Sequence, residues 1–349
     1  MGNVPNLRFP EFSGEWENCQ IANILSIGSG RDYKHLEKGN IPVFGTGGYM
    51  TSVNECIYDG ETTFIGRKGS INKPFYYNGK FWTVDTLFYT HSFNKTTPKF
   101  VYCLFQTINW LRYNEASGVP SLSKDTIEKI KVFIPQLDEQ RKISEMLSVI
   151  DERIATQNKI INKLQSLIKG IRNDVFGKLR KDIGLNAKVG DVLSYEQPQP
   201  YIVEDTEYTA GGTPVLTANK AFVLGYTSET DGIYDKGDCI IFDDFTLDCK
   251  YVDFPFKVKS SAIKILTAKN KELLRYTFEF LKYLDLSTDE HKRHYIAETQ
   301  NQEFILPTTQ IVRTIAHAFS TLSSRMQTIV KQRDMLELQK QYLLRQMFI

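Results

Sequence analysis

The chain has 349 residues, of which 41% are hydrophobic and 24% are charged, and its formal net charge is +2. This length suits two domains that each bury a core, and the composition is typical of globular rather than fibrous or disordered proteins. The near-neutral balance excludes a protein that holds polyanions through a global positive field, so any nucleic-acid surface must be a local patch.

Short alternating segments broken by glycine turns predict β-strands in residues 1–135, for example at 61–66 and 80–90. Residues 99–113 predict one helix, and residues 128–135 predict a strand that leads into a proline. We therefore expect a first domain of the α+β class, built from short strands.

Apolar residues then recur at alternating steps of four and three from Ile143 to Val175, with Gln157 as the one break. This spacing is typical of a coiled-coil seam and predicts a long helix over residues 136–180. A proline before the helix and two acidic residues in its first turn suit a helix N-terminus, where the free N–H groups carry a positive dipole end.

Residues 181–306 predict a second domain and residues 307–349 a second long helix, whose apolar seam is interrupted by Arg333 and Lys340. We expect this weaker seam to leave more surface for partner proteins. Three landmarks of the first domain recur in order in the second: residues 21–26, 41–48 and 58–66 resemble residues 189–194, 213–220 and 234–243.

The two long helices repeat each other without a gap, since Pro135 to Phe176 matches Pro307 to Phe348. Such a repeat indicates a duplicated unit of one domain plus one helix. Each helix must bury its apolar face, either against the other helix or against a partner protein. We favour the first arrangement, an α+β fold in which two similar domains are separated by long helices that form an antiparallel coiled coil with a pseudo-two-fold repeat.

The five cysteines are scattered and include no C-x-x-C pair, which indicates free thiols in a reducing compartment. The opening segment lacks the run of basic and then apolar residues of a signal peptide, and no stretch approaches the roughly 18 apolar residues of a membrane span. The sequence therefore predicts a soluble cytoplasmic protein without a membrane partner.

Three patterns could indicate an enzyme. The first is a set of glycine turns that could cradle a phosphate, but no G-x-x-x-x-G-K-[ST] motif is present and tight turns explain these glycines better. Asp238, Asp248 and Lys250 echo the two carboxylates and lysine that hold a metal in many nucleases, but the first domain has no equivalent. Residues 72–75 differ by one residue from the N-P-P-F tetrapeptide of amino-methyltransferases, yet the glycine turns are not followed by the helices of a nucleotide-binding sheet. We therefore assign no catalytic residue.

The histidines do not indicate a metal site either. His291 and His294 form a near pair without a third ligand in the neighbouring sequence, and we interpret them as part of a solvated helix end. No metal site is predicted.

Loops that mix cations with small polar residues remain as candidates for DNA contacts, because they allow close approach to phosphates and base edges. Each of these loops, taken alone, could simply be a solvated surface loop. Loops of this kind recur at matched places in both domains, and this recurrence favours DNA binding. In the first domain the candidates are Arg31, Lys34, Lys38, Gly47, Arg67, Lys68, Ser70, Asn72, Lys73, Arg112, Asn114 and Ser117. In the second domain they are Asn219, Lys220, Asp243, Lys250, Lys292 and Arg293.

Three segments carry a resemblance to a known family: PNLRFPEFSGEWE (5–17), IPVFGTGG (41–48) and above all SLSKDTIEKIKVFIPQLDEQRKI (121–143). They resemble the specificity subunits of type I restriction-modification systems, and the likeness covers essentially the whole chain. The second half departs from the pattern, because ILPTTQIVRTI lacks a counterpart of Glu139 and Gln140.

The resemblance implies that each domain is a target recognition domain for one half of a split DNA sequence, and that the coiled coil fixes the gap between the halves. It further implies two methyltransferase subunits docked on the coil and motor-nuclease subunits that join them. S-adenosylmethionine, ATP and Mg²⁺ are then expected on the partners and no cofactor on this chain. A self-contained metal-dependent nuclease with a coiled-coil dimerisation arm is the alternative, and a scaffold without a DNA role is a third.

Overall fold

The computed structural model describes residues 2–217, 221–288, 290 and 292–349. Two units divide the chain: unit 1 comprises Met1–Asn158 and Lys331–Ile349, and unit 2 comprises Lys159–Val330. No helix within the described ranges combines the length and the apolar character that a membrane span needs.

Unit 1 combines eight strands with several helices. Its strands are β1 (Glu17–Gln20), β2 (Ser26–Ser29), β3 (Lys38–Gly45), β4 (Gly48–Val53), β5 (Tyr58–Gly66), β6 (Phe75–Thr83), β7 (Leu87–His91) and β8 (Lys131–Ile134). Its helices are α1 (Ile21–Ile24), α2 (Pro98–Thr107), a 3-10 turn (Trp110–Tyr113), α3 (Lys124–Lys129) and the first part of α4 (Leu137–Asp182).

Six of these strands form one sheet in the order β2-β7-β5-β6-β3-β4, and β1 pairs separately with β8. Neighbours in the sheet are antiparallel except β3 and β6, which run parallel where Val43 faces Trp82. Helix α2 begins at Pro98, where Thr97 accepts a hydrogen bond from the Phe100 N–H and so caps the first turn. Its apolar face packs into the largest core of the unit.

Unit 2 contains shorter strands. They are β9 (Ala187–Lys188), β10 (Leu193–Glu196), β11 (Thr213–Leu216), β12 (Val223–Thr227), β13 (Cys239–Asp243), β14 (Cys249–Val252), β15 (Lys257–Val258), β16 (Ile263–Ala268) and β17 (Glu303–Phe304). The helices are the second part of α4, α5 (Val189–Val192), α6 (Glu272–Leu284) and α7 (Thr309–Met347), with 3-10 turns at Gln199–Tyr201 and Thr299–Asn301. The last residues of α7 belong to unit 1.

The topology of unit 2 repeats that of unit 1. The order β10-β16-β13-β14 corresponds to β2-β7-β5-β6, and the pair β9-β17 corresponds to β1-β8. The parallel contact of β3 with β6 recurs between β11 and β15, so that β14 and β15 together take the place of β6. The predicted landmarks fall on corresponding elements, since α1 and α5 are both one-turn helices that lead into the first sheet strand. The predicted α+β duplication is confirmed.

The two long helices run antiparallel within unit 1. Lys340 of α7 donates a hydrogen bond to Asp151 of α4 at 2.5 Å, and Arg333 of α7 donates one to Asn158 of α4. The contact therefore moves forward along α4 as it moves backward along α7. The expectation for Lys340 was wrong: it does not interrupt the interface to leave a free surface, because its side chain is buried between the helices and neutralised by Asp151.

Three predicted elements also differ in detail. Residues 80–90 are not one strand, because a turn separates β6 from β7. The predicted helix over 99–113 ends at Thr107 and resumes as a 3-10 turn, and the start of 128–135 is helical in α3 rather than extended. The long helices, predicted over 136–180 and 307–349, span Leu137–Asp182 and Thr309–Met347.

Candidate DNA interface

The turn between β6 and β7, which we call the hub turn (residues 83–87), holds several unit 1 segments together. Sequence reasoning missed it, because residues 80–90 predict one strand and contain neither glycine nor proline. Three backbone hydrogen bonds attach neighbouring segments: Arg31 N–H donates to Thr83 O at 2.8 Å, Val84 N–H to Phe44 O at 3.1 Å, and Arg67 N–H to Thr86 O at 2.8 Å. The hub turn therefore gathers segments that are distant in sequence.

A second set of hydrogen bonds joins the loop after β5 to the loop before α3. Lys68 forms an isolated β-bridge with Ser121, and the Gly69 N–H donates to Pro120 O at 2.8 Å. Asn114 accepts a hydrogen bond from the Ser121 N–H at 2.9 Å and so fixes the second loop internally. Two of the predicted polar clusters, around Arg67 and around Asn114, are thereby adjacent.

Glycines make the first of these loops compact. A Cβ at Gly66 would lie 2.6 Å from Ser70 O, closer than real contacts allow. Gly69 has φ +84, and a Cβ there would lie 3.8 Å from the Thr46 hydroxyl, which places this loop beside the tip of the β3–β4 hairpin. The glycines of the GRKGS segment thus serve backbone geometry, and they bring Lys68 close to the hairpin.

The cations Arg31, Arg67 and Lys68, which we call the basic loop cluster, meet around the hub turn. Arg31 and Lys68 are exposed, and Arg67 is half-buried, with its guanidinium donating to Asp85 O and lying 6.0 Å from the Phe88 ring centroid. A cleft of about 340 Å³ runs beside Arg67 and Lys68 and is lined further by serines and by Glu115. The cluster offers positive charge on backbone-fixed loops, which is the arrangement that phosphate contacts require.

Glu115 bounds this cleft with a negative charge. Hydrogen bonds from Thr126 and Ser123 lower the pKa of its carboxyl, so it stays ionised at neutral pH. The cleft therefore carries this one carboxylate as well as the cations Arg67, Lys68 and Lys124, and we assign phosphate approach to Arg67 and Lys68.

The remaining unit 1 candidates lie around this cluster or apart from it. Gly47 and Ser70 are exposed in the two segments that meet at Thr46 and Gly69. Lys38 begins β3 at the end of the strand away from the hairpin tip, so it is not part of the cluster. The other candidates are exposed at separate surface positions and stay predictions: Lys34, Asn72, Lys73, Arg112 and Ser117.

The turn of unit 2 that corresponds to the loop after β5 follows β13 and is acidic. Asp243 is buried, and its carboxylate accepts the N–H groups of Phe245 at 2.9 Å and Thr246 at 3.2 Å. These bonds close the turn from inside, so the position of Asp243 does not support its predicted role as a DNA contact. A sequence pattern cannot distinguish such a turn-closing aspartate from an exposed one.

Asp244 ties the next loop to this turn. Its carboxylate accepts the N–H groups of His294 at 3.1 Å and Tyr295 at 2.8 Å, and Lys264 lies 3.5 Å from the other oxygen. Asp244 and Lys264 are both almost fully buried, so the charges are compensated inside the unit. This link in unit 2 takes the place of the bridge between Lys68 and Ser121 in unit 1.

The interpretation of His294 as part of a solvated helix end was wrong. Its side chain is buried, and its Nδ1 lies 2.9 Å from Glu298, a hydrogen bond that raises the pKa of the imidazole. His291, Asn219 and Lys220 lie outside the described residues.

The other cations predicted in unit 2 are engaged in local contacts. Lys250 pairs with Asp248 at 2.8 Å, and Lys292 pairs with two glutamates. Arg293 is exposed and lies 6.0 Å from the ring centroid of Phe245. Among these, Arg293 has the most accessible charge beside the turn after β13.

The carboxylates considered for a nuclease do not form a metal site. Asp238 accepts a hydrogen bond from the Tyr251 hydroxyl at 2.6 Å. Burial would raise the pKa of Asp248, but hydrogen bonds from Lys250 and Lys282 hold it below its usual value. Within the described ranges, no group of three or more His, Cys, Asp or Glu side chains is arranged to hold a metal ion.

Residues 13–166 match the protein family described as "Type I restriction modification DNA specificity domain". The specificity subunit of the type I restriction enzyme EcoR124I/EcoR124II from Escherichia coli is 45% identical over 126 residues, which are 34% of this chain and 31% of that protein. The MjaVIII specificity subunit from Methanocaldococcus jannaschii is 38% identical over 64 residues, 18% of this chain and 15% of that protein. The aligned stretches thus span a third or less of these two relatives.

The fold has a counterpart among solved structures. The type I restriction-modification system S subunit from M. genitalium superposes with a TM-score of 0.70 over 99% of both chains, at 15% sequence identity. At this identity the likeness concerns the fold, and it extends over both units and both long helices.

Proposed function

We propose that this chain is the specificity subunit of a type I restriction-modification system, and the match of residues 13–166 to the family of type I restriction-modification DNA specificity domains supports this proposal. In this role it recognises a bipartite DNA target and directs methylation and restriction by partner subunits. The chain itself performs no chemistry.

The observation that carries the proposal is the duplicated topology with different loops at matching places. In unit 1 the loop after β5 carries Arg67 and Lys68, whereas the matching turn after β13 in unit 2 is closed by Asp243 and Asp244. One framework with two sets of loops suits a protein that reads two different half-sites. Phosphate contacts from the cations would set the register, and polar loop side chains would read bases.

The partner subunits would bind the long helices. In unit 1, the neighbouring stretches of α4 and α7 expose apolar side chains, among them Val149, Met335, Leu338 and Tyr342. Val149 and Met335 line a groove of about 870 Å³. Apolar surface of this kind fits a protein partner better than DNA. We assign it to a methyltransferase subunit, with motor-nuclease subunits joining the complex. S-adenosylmethionine, ATP and Mg²⁺ would bind on those partners.

Removing two cations of the basic loop cluster tests the DNA role. We expect the Arg67→Ala/Lys68→Ala double variant to bind target DNA roughly tenfold more weakly per lost side chain at low salt. The slope of log affinity against log salt should also fall by about 2, because each lost phosphate contact releases about one counterion fewer. Fluorescence anisotropy of the subunit with its methyltransferase partner, on DNA whose target was mapped by methylome sequencing, measures both quantities.

Lys178→Ala is the matched control, since Lys178 is an exposed cation on α4 paired with Asp174. Its affinity and salt slope should equal those of the unaltered protein. If the salt slope of the double variant equals that of the unaltered protein, the basic loop cluster is not part of the DNA interface. Cleavage of DNA by the purified chain with Mg²⁺ would instead favour the nuclease alternative.

A further inference from the structure

The tip of the β3–β4 hairpin projects an aromatic side chain next to the basic loop cluster. In the hairpin, Gly45 pairs with Gly48, so that residues 46–47 form the turn, and Tyr49 faces Phe44 across the strands. Tyr49 is 64% exposed and Met50 is 51% exposed, although both belong to a strand. Exposed apolar side chains at a strand tip are therefore available to a ligand.

The hairpin holds Tyr49 in a defined position. Its hydroxyl lies 3.0 Å from the Ser52 hydroxyl, within hydrogen-bond distance. The strand register shifts next to Phe44, so Met50 is the extra residue of a β-bulge, a feature that re-aims neighbouring side chains. Met50 lies over Gly45, where a Cβ would come 2.8 Å from its sulfur. The hydroxyl contact and the bulge together orient Tyr49 at the tip of the hairpin.

The same tip lies beside the loop that carries two of the cations. Thr46 is next to Gly69 of the loop with Arg67 and Lys68, and Phe44 O accepts the hydrogen bond from Val84 of the hub turn. An exposed aromatic ring on a hairpin next to a cationic loop suits a ligand with charged edges and an apolar centre. A DNA groove has this character, with phosphates at its rims and base edges at its floor.

We propose that Tyr49 is a specificity-determining residue that contacts the 5-methyl group of a thymine in the half-site read by unit 1. The inference rests on the proposed function and adds the base type that this hairpin reads. A two-stranded ribbon fits the major groove, whereas the minor groove is about half as wide. In the major groove the thymine methyl is the apolar feature of the floor, and an aromatic ring makes an apolar contact with it.

Replacing thymine by deoxyuridine, one position at a time in the unit 1 half-site, removes the methyl group without changing base pairing. We expect one substitution to weaken binding of the unaltered subunit with its methyltransferase roughly fourfold, the effect of burying one methyl group. For Tyr49→Ala the same substitution should have no effect, because the contact is already lost. Anisotropy titrations on the substituted duplexes measure the ratio of affinities in each protein.

Tyr49→Phe is the conservative control, since it keeps the ring and loses only the hydroxyl, and it should retain the sensitivity to deoxyuridine. The inference is overturned if no thymine methyl matters to the unaltered protein, or if Tyr49→Ala keeps the full deoxyuridine effect. A chain that binds no specific DNA at all overturns the proposed function instead. Deoxyuridine in the half-site read by unit 2 should affect both proteins equally, which separates a local contact from misfolding.

Discussion

Glu279→Ala should destabilise unit 2 by about 3–5 kcal/mol. Glu279 is 1% exposed and accepts hydrogen bonds from Arg172 of α4, at 3.0 and 2.7 Å, and from Arg275 of α6, at 2.7 Å. Removing the carboxylate leaves two mostly buried guanidinium groups without their counterion. The cost is that of uncompensated buried charge, which exceeds the value of the ion pairs themselves.

Hydrogen exchange measured by mass spectrometry locates this effect, and we expect faster exchange in α6 and in the part of α4 that belongs to unit 2. Asp174→Ala is the matched control, because Asp174 pairs with Lys178 on the same helix but both side chains are more than 60% exposed. This control should change stability by less than about 1 kcal/mol. Equal effects of the two substitutions would mean that the network around Glu279 is solvated.

Phe348→Ala should destabilise unit 1 by about 3–5 kcal/mol, although the residue is next to the last of the chain. The ring is 7% exposed, stacks on Phe100 at 5.4 Å between centroids and meets Trp16 edge-on at 6.0 Å. It belongs to the same core as α2 and the start of α4. Its removal opens a cavity in a core that holds both ends of the sequence.

Tryptophan fluorescence reports this change directly, because Trp16, Trp82 and Trp110, the three tryptophans of the chain, are all in unit 1 and buried. The midpoint of urea unfolding followed by fluorescence should fall for Phe348→Ala. Ile349→Ala, at a half-exposed neighbour, should leave it within about 0.5 kcal/mol. An unchanged midpoint for Phe348→Ala would show that the end of α7 does not complete the core.

Phe348 also illustrates how the duplication diversifies contacts. Its repeat partner, Phe176, is fully buried in unit 2, where it packs against Tyr276, Phe280 and Tyr283. The repeat predicted that the two phenylalanines are equivalent, and each packs into the core of its own unit. Phe176 lies in the last turns of α4, and Phe348 follows the last residue of α7. Which residues surround them depends on the diverged domains, so the pattern alone did not predict the packing partners.

Polar residues within the helix seams show a similar division. From the sequence, a charged residue in the apolar seam of a helix predicts a weak interface. The periodicity of one helix does not show whether the other helix supplies an opposite charge. Lys340 instead is buried and pairs with Asp151 on the other helix, whose side chain is partly exposed. The pairing depends on the register between two segments far apart in sequence, which no local pattern contains.

The sequence alone established the duplicated architecture, the extent of the long helices to within two residues at each end, and the loops that carry cations, because periodicity and repetition are local properties of a chain. The three-dimensional structure was needed to join Arg31, Arg67 and Lys68 around the hub turn, and to bury Asp243 and His294. Those outcomes follow from backbone hydrogen bonds between distant segments, whose partners are chosen by the whole fold. The exposure of Tyr49 was also decided by the tertiary structure, because burial depends on the surroundings of a residue rather than on its type.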